Sequence, residues 1–142
     1  MADAAFFGKT ADLLLPAGVE RLTEVRALKG GRWALLALSV EGCRLLARCP
    51  ETEVSCGIVL LPSGWSGLVR WQIRAERVVS CGLSRRDSLT FSSMDEGRAV
   101  VCVQRMLTRL DGGQVEPQEL PVRRCAGPPE DLLVAVGLGL LL

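Results

Sequence analysis

The stretch Trp33-Ala34-Leu35-Leu36-Ala37-Leu38-Ser39-Val40 is nearly unbroken apolar sequence. A strand with one wet face alternates apolar and polar side chains; a strand covered on both faces does not. The segment therefore predicts a central strand. Working outward, Glu41-Gly42 predicts a tight turn, and Cys43 to Arg48 a returning strand that Pro50 ends. Val54 to Leu61 predicts a third apolar strand, closed by the turn cluster Pro62-Ser63-Gly64. The clearest alternation comes next: Val69, Trp71 and Ile73 against Arg70, Gln72 and Arg74, with Val78 to Leu83 following as another strand.

Further on, Ser88 to Met94 and Ala99 to Leu107 flank Asp95-Glu96-Gly97, a short hairpin loop. Asp111-Gly112 predicts a second hairpin with Gln114 to Leu120 returning, and Pro117 marks that strand as an edge because it lacks a ladder donor. Gly127-Pro128-Pro129 breaks the chain before a last apolar element, Asp131 to Leu142. Its type stays open: Gly137 and Gly139 disfavour a helix, and the run is too uniform to show a period. Towards the N-terminus, Val19, Leu22, Val25 and Leu28 recur at three-residue steps, which predicts one short helix over 17–29 stopped by Gly30-Gly31. Residues 1–16 read as a lead-in and 17–142 as a single strand-rich domain.

Short strands at roughly ten-residue spacing predict a mainly β fold: a single antiparallel β-sandwich or small β-barrel with one short N-terminal helix. A fragment of a β-propeller is the alternative. It rests on the tetrapeptide Val-Ser-Cys-Gly at 54–57 and again at 79–82, and on Trp33 and Trp71. Neither interval recurs a third time, and a closed propeller needs more chain.

The 142 residues suffice for one core without disulfide or metal support. At 49% hydrophobic and 23% charged, with mean hydropathy +0.28, the chain sits at the apolar end for a soluble domain. Either the β core is well filled or some apolar surface is covered by a partner. The net charge of +1 gives no global pull towards nucleic acid or anionic membrane. Of 17 basic residues only Lys9 and Lys29 are lysines, and Asn, Tyr and His are absent; arginine makes bidentate contacts that lysine cannot, but a GC-rich gene would produce most of that pattern.

The missing histidine removes the Ser-His-Asp and Cys-His arrangements and the histidine-based zinc hydrolase sites. Gly8-Lys9-Thr10 reads like the end of a phosphate-binding loop, but that motif needs glycine where Asp3 stands. Gly137-Leu138-Gly139 lacks the third glycine of a dinucleotide fingerprint, since position 142 is Leu142. The six cysteines, Cys43, Cys49, Cys56, Cys81, Cys102 and Cys125, show no close paired spacing and mostly sit in apolar runs, which predicts buried structural thiols rather than a metal site. Asp12, Glu51, Glu53, Asp87, Asp95 and Glu96 fall mostly at predicted turns, where carboxylates are solvated. No cofactor or metal is expected.

No secretory signal is visible, and the apolar run Leu132 to Leu142 is too short to span a bilayer as a helix. The expectation is an intracellular protein, nuclear or cytoplasmic, without membrane insertion. The richest candidate surface lies in 65–86. Trp65 stands in a Gly-Trp-Ser-Gly loop, and Arg70, Arg74, Arg77, Arg85 and Arg86 follow. Tryptophan with arginine is the composition of an interface hot spot, and it also suits stacked bases and phosphates of a single strand. The plainer alternative is that Trp71 is core and the arginines a solvent face. The expected function is a non-catalytic protein-interaction subunit of a larger intracellular complex, with other protein subunits as hetero-oligomeric partners. The alternative is an OB-like barrel that binds single-stranded nucleic acid. An enzyme using carboxylates or cysteine alone ranks last.

Overall fold

A computed structural model describes residues 4–10, 13–29 and 31–142. The chain is strand-rich, as expected, but the strands form one large mixed sheet with helices on both faces. Its strands are β1 (Ala4–Phe7), β2 (Val19–Leu22), β3 (Arg32–Leu38), β4 (Val54–Pro62), β5 (Ile73–Cys81), β6 (Leu89–Met94) and β7 (Arg98–Val103). A small separate hairpin pairs β8 (Leu107–Thr108) with β9 (Gln114–Val115), and β10 (Gln118–Arg123) completes the large sheet. Its eight strands run in the order β10-β7-β6-β5-β4-β3-β1-β2. β2, β1, β3, β4 and β5 are mutually parallel. β6 touches β5 only at Cys81–Leu89, then turns with β7 and β10 into an antiparallel extension.

The expected antiparallel sandwich or barrel is therefore replaced by an open layered sheet, and the reason is visible in burial. Every residue of β1 is buried, as are Leu35 to Leu38 and Ile58 to Pro62. Strands apolar on both faces must be covered on both faces; crossover helices cover one and the C-terminal helix the other. One face carries α1 (Val40–Ala47) and α2 (Gly67–Trp71) over Phe7, Leu36, Leu38, Val59 and Leu61. The other carries α3 (Pro129–Leu141) over Phe6, Leu35, Leu60, Val79 and Val101.

Several local expectations change. The turn and strand read over 41–48 are α1: Ser39 caps it, its Oγ accepting from Gly42 N at 3.0 Å, and Glu41 sits in the first turn. Gly42 is there for close packing, because a Cβ would run into the Phe7 carbonyl. The helix read over 17–29 is β2 followed by a 3-10 turn, Val25–Leu28. The three-residue steps that suggested it suit a 3-10 turn, whose i and i+3 side chains eclipse. The alternation over 69–74 spans a boundary, with α2 ending at Trp71 and β5 starting at Ile73. Ala4–Phe7, read as part of a lead-in, is an interior strand between β2 and β3. The two Val-Ser-Cys-Gly copies lie at the start of β4 and the end of β5, so they are not equivalent repeats.

The last apolar element is a helix. Gly137 is needed where α3 meets the sheet, since a Cβ there would sit 2.6 Å from Leu89 Cδ1 and 2.8 Å from Leu60 Cδ2. Among the described residues no helix is long and apolar enough to cross a membrane.

Candidate functional site

The connections place one crevice first. The chain leaves β1 over the α3 face to reach β2, then crosses the opposite face to β3, β4 and β5. The direction of winding thus reverses between β1 and β3, and the carboxyl ends of strands at such a switch point are the usual ligand crevice of a doubly wound sheet. Here the crevice is a hollow of about 370 Å³ lined by Lys9, Thr10, Glu41, Arg44, Gly127 and Asp131, among others. Gly8, at φ +107°, turns the chain out of β1 into it.

The amide groups that would greet an anion are already taken by the protein's own carboxylates. Asp131 accepts from Val40 N at the start of α1 (2.8 Å), and Glu41 accepts from the Lys9 amide (2.9 Å). Burial raises the Asp131 carboxyl above its ordinary range, against the Val40 hydrogen bond, with Glu130 and Glu41 adding to the rise. Gly8-Lys9-Thr10 is followed by a loop over 13–18 and not by the helix a phosphate-binding loop requires. Across the crevice these two hydrogen bonds tie α3 to the start of α1 and Lys9 to its first turn.

The residues singled out in 65–86 do not share one face: the turn that carries Trp65 meets the turn of Arg85 and Arg86 through Ser63 and Asp87, whereas Arg70 and Arg74 flank the start of β5. Trp65, expected exposed, is half-buried against the α1–α2 face, while Trp71, the candidate core residue, is 73% exposed. In α2 Leu68 points inward, while Trp71, its last residue, faces water with the Arg70 guanidinium 5.1 Å from its ring centroid. Arg74 lies near the start of β5, 4.0 Å from Glu53, and Arg77 sits mid-strand. The strand ends at Cys81, about 23 Å from Arg74 at ~3.3 Å per residue, and Arg85 and Arg86 lie in the turn beyond it.

What the sequence reading left undecided is the outer side of α3. Leu133, Val134, Leu138 and Leu141 pack into the sheet. Leu132 and Ala135, on another side, pack with Leu13. Between residues 13–16 and 122–126 an apolar groove of about 840 Å³ runs along α3, floored by Leu132, Ala135, Val136 and Gly139. Leu14 stands at its lip, 94% exposed. The signal was in the sequence: Leu132 to Leu142 has no polar face, so a helix there must be covered all round.

The flanking edge strand is protected against strand addition. Arg124 N donates to Gly97 O, so even-numbered residues of β10 face β7 and Glu119, Pro121 and Arg123 face outward. Pro121 has no N–H to offer at the centre of that row.

Of the cysteines, Cys43, Cys56 and Cys81 are buried. Burial pushes Cys43 and Cys56 up to about 12 and Cys81 upward as well, so these sulfurs stay protonated and poorly nucleophilic at neutral pH. Among the described residues no group of three cysteines or carboxylates converges to hold a metal ion. Comparison of the chain with family models, with curated proteins and with solved structures returns no match, so any functional reading rests on this geometry.

Proposed function

We propose that the chain is a non-catalytic, intracellular protein-interaction subunit, and that the groove along α3 is where a partner protein sits. One observation carries the reading: from Leu132 onward α3 has no polar face, yet between residues 13–16 and 122–126 a groove along it stays open to solvent. Pro121 at the β10 edge favours a partner that lays a helix or loop into the groove over one that adds a strand. The raised buried thiols and the missing histidine support the non-catalytic part. The single-strand nucleic-acid alternative assumed a barrel with one arginine face; with Arg74 and Arg85 near opposite ends of β5 it gains no support from geometry.

The test uses Gly139, whose nearest foreign atom to a built Cβ is Pro16 Cγ at 3.8 Å. Gly139→Trp fills the groove without entering the core. Proteins captured by the tagged chain in cells should be lost with Gly139→Trp and kept with Trp71→Ser, whose side chain is exposed on α2 at the opposite face of the sheet. An unchanged capture profile overturns the groove. Turnover by the pure chain that one acidic or thiol substitution abolishes overturns the non-catalytic assignment.

A further inference from the structure

A second surface, remote in kind from the groove, is built at the carboxyl end of β5. Residues 82–88 turn there and are locked from beneath. Asp87 is buried and accepts from Ser84 N at 3.0 Å and from Ser63 Oγ at 3.4 Å, so its charge faces inward. Gln104 straps the turn to the end of β7: its Nε2 donates to Ser84 O at 3.0 Å and Asp87 O at 2.8 Å, and its backbone N donates to Ser88 O at 2.9 Å. The Arg105 guanidinium donates to the Arg86 carbonyl. The locking leaves two apolar side chains facing water, Leu83 at 70% and Met106 at 48% exposure, among the exposed Arg85, Arg86 and Arg105.

We infer that this platform docks an acidic protein segment that carries apolar side chains between its carboxylates. Charge complementarity decides the occupant. Three exposed arginines stand on two turns strapped to each other, in a chain whose net charge is only +1, and the one carboxylate of these turns, Asp87, is buried. Arginine forks match carboxylates bidentately. Leu83 and Met106 supply the desolvating contact that exposed ion pairs lack, and methionine adapts to varied partners. A turn already fixed by several hydrogen bonds loses little entropy on binding. A nucleic acid would use the arginines but leave Leu83 and Met106 facing its charged backbone.

The probe is a short fluorescein-labelled peptide alternating aspartate and leucine, measured by anisotropy on the full chain. Binding is expected, falling by about tenfold in Arg85→Ser/Arg86→Ser, whose backbone bonds survive, and falling also in Leu83→Ser. Arg74→Ser, near the far end of β5, and Gly139→Trp in the groove should leave it unchanged, which separates this result from the fate of the groove reading. Absence of peptide binding overturns the inference. So does equal affinity in the double arginine variant, or tighter binding of an oligothymidylate or of phosphatidylserine vesicles than of the peptide.

Discussion

Gln72 is the residue by which the α1–α2 face is latched, and replacing it by methionine measures that latch. Its side chain is buried between α2 and β5 and reaches back across more than twenty residues. Nε2 lies 2.8 Å from Leu46 O and 2.9 Å from Cys49 O, with Thr52 O further off at 3.4 Å. An amide has two hydrogens, so the two short contacts are the bonds. Each acceptor has a second donor: Cys49 N bonds Leu46 O at 3.0 Å, and Thr52 N bonds Cys49 O at 2.9 Å. Loss of Gln72 therefore leaves neither carbonyl orphaned, and the net value of about 1 kcal/mol per hydrogen bond applies rather than the full desolvation penalty. Gln72→Met keeps the length and removes both donors, so it should destabilise by about 2 kcal/mol. Gln72→Glu keeps the shape but points a charge at the same carbonyls, and at pH 7 it should cost more than Gln72→Met. Urea unfolding with an unchanged slope is the assay. A loss under about 0.5 kcal/mol for Gln72→Met, or a Gln72→Glu variant as stable as wild type at pH 7, refutes the latch.

Asp131→Asn keeps the acceptor for Val40 N and removes a carboxyl whose folded pKa is raised. The unfolded chain gives up this proton first, so wild-type stability falls as pH rises from the ordinary carboxylate range, about 3.9, through the raised value. The variant lacks that fall; its advantage over wild type should grow from pH 4 to pH 7, and a flat or opposite difference in urea midpoints counts against the assignment. Gly137→Ala gains about 1 kcal/mol of helix propensity but drives a methyl to 2.6 Å from Leu89 Cδ1, so thermal unfolding should show a net loss of about 1 kcal/mol. Gly139→Ala, in open space on the same helix, should instead gain up to about 1 kcal/mol. Cys43, Cys56 and Cys81 should resist iodoacetamide at pH 8 in the folded chain and react once urea is added, as read by peptide mass spectrometry.

Some of this molecule is legible in the order of its residues. Continuous apolar runs at 33–40 and 54–61 marked strands buried on both faces, because alternation disappears when there is no wet face. The turn residues Asp95-Glu96-Gly97 and Asp111-Gly112 marked hairpins, since turn chemistry is local, but the strand expected over Gln114 to Leu120 is split: Gln114–Val115 pairs with β8, Gln118–Arg123 pairs with β7, and Pro117 lies between them. The 41–48 and 69–74 segments were misread for one reason: both are too short for a helical period to stand out from alternation.

Which strand neighbours which was not legible. Parallel pairing is set by crossovers whose ends lie far apart in sequence, and no local propensity encodes it; only burial on both faces hints at it. The same holds for the surfaces. Composition foretold arginines and an apolar C-terminus, but only the tertiary structure set Arg85 and Arg86 beside Arg105 and away from Arg74. Only it, likewise, left the outer side of α3 half covered. A surface is made of residues from separate elements, and the packing of those elements, not their order, decides which side chains meet.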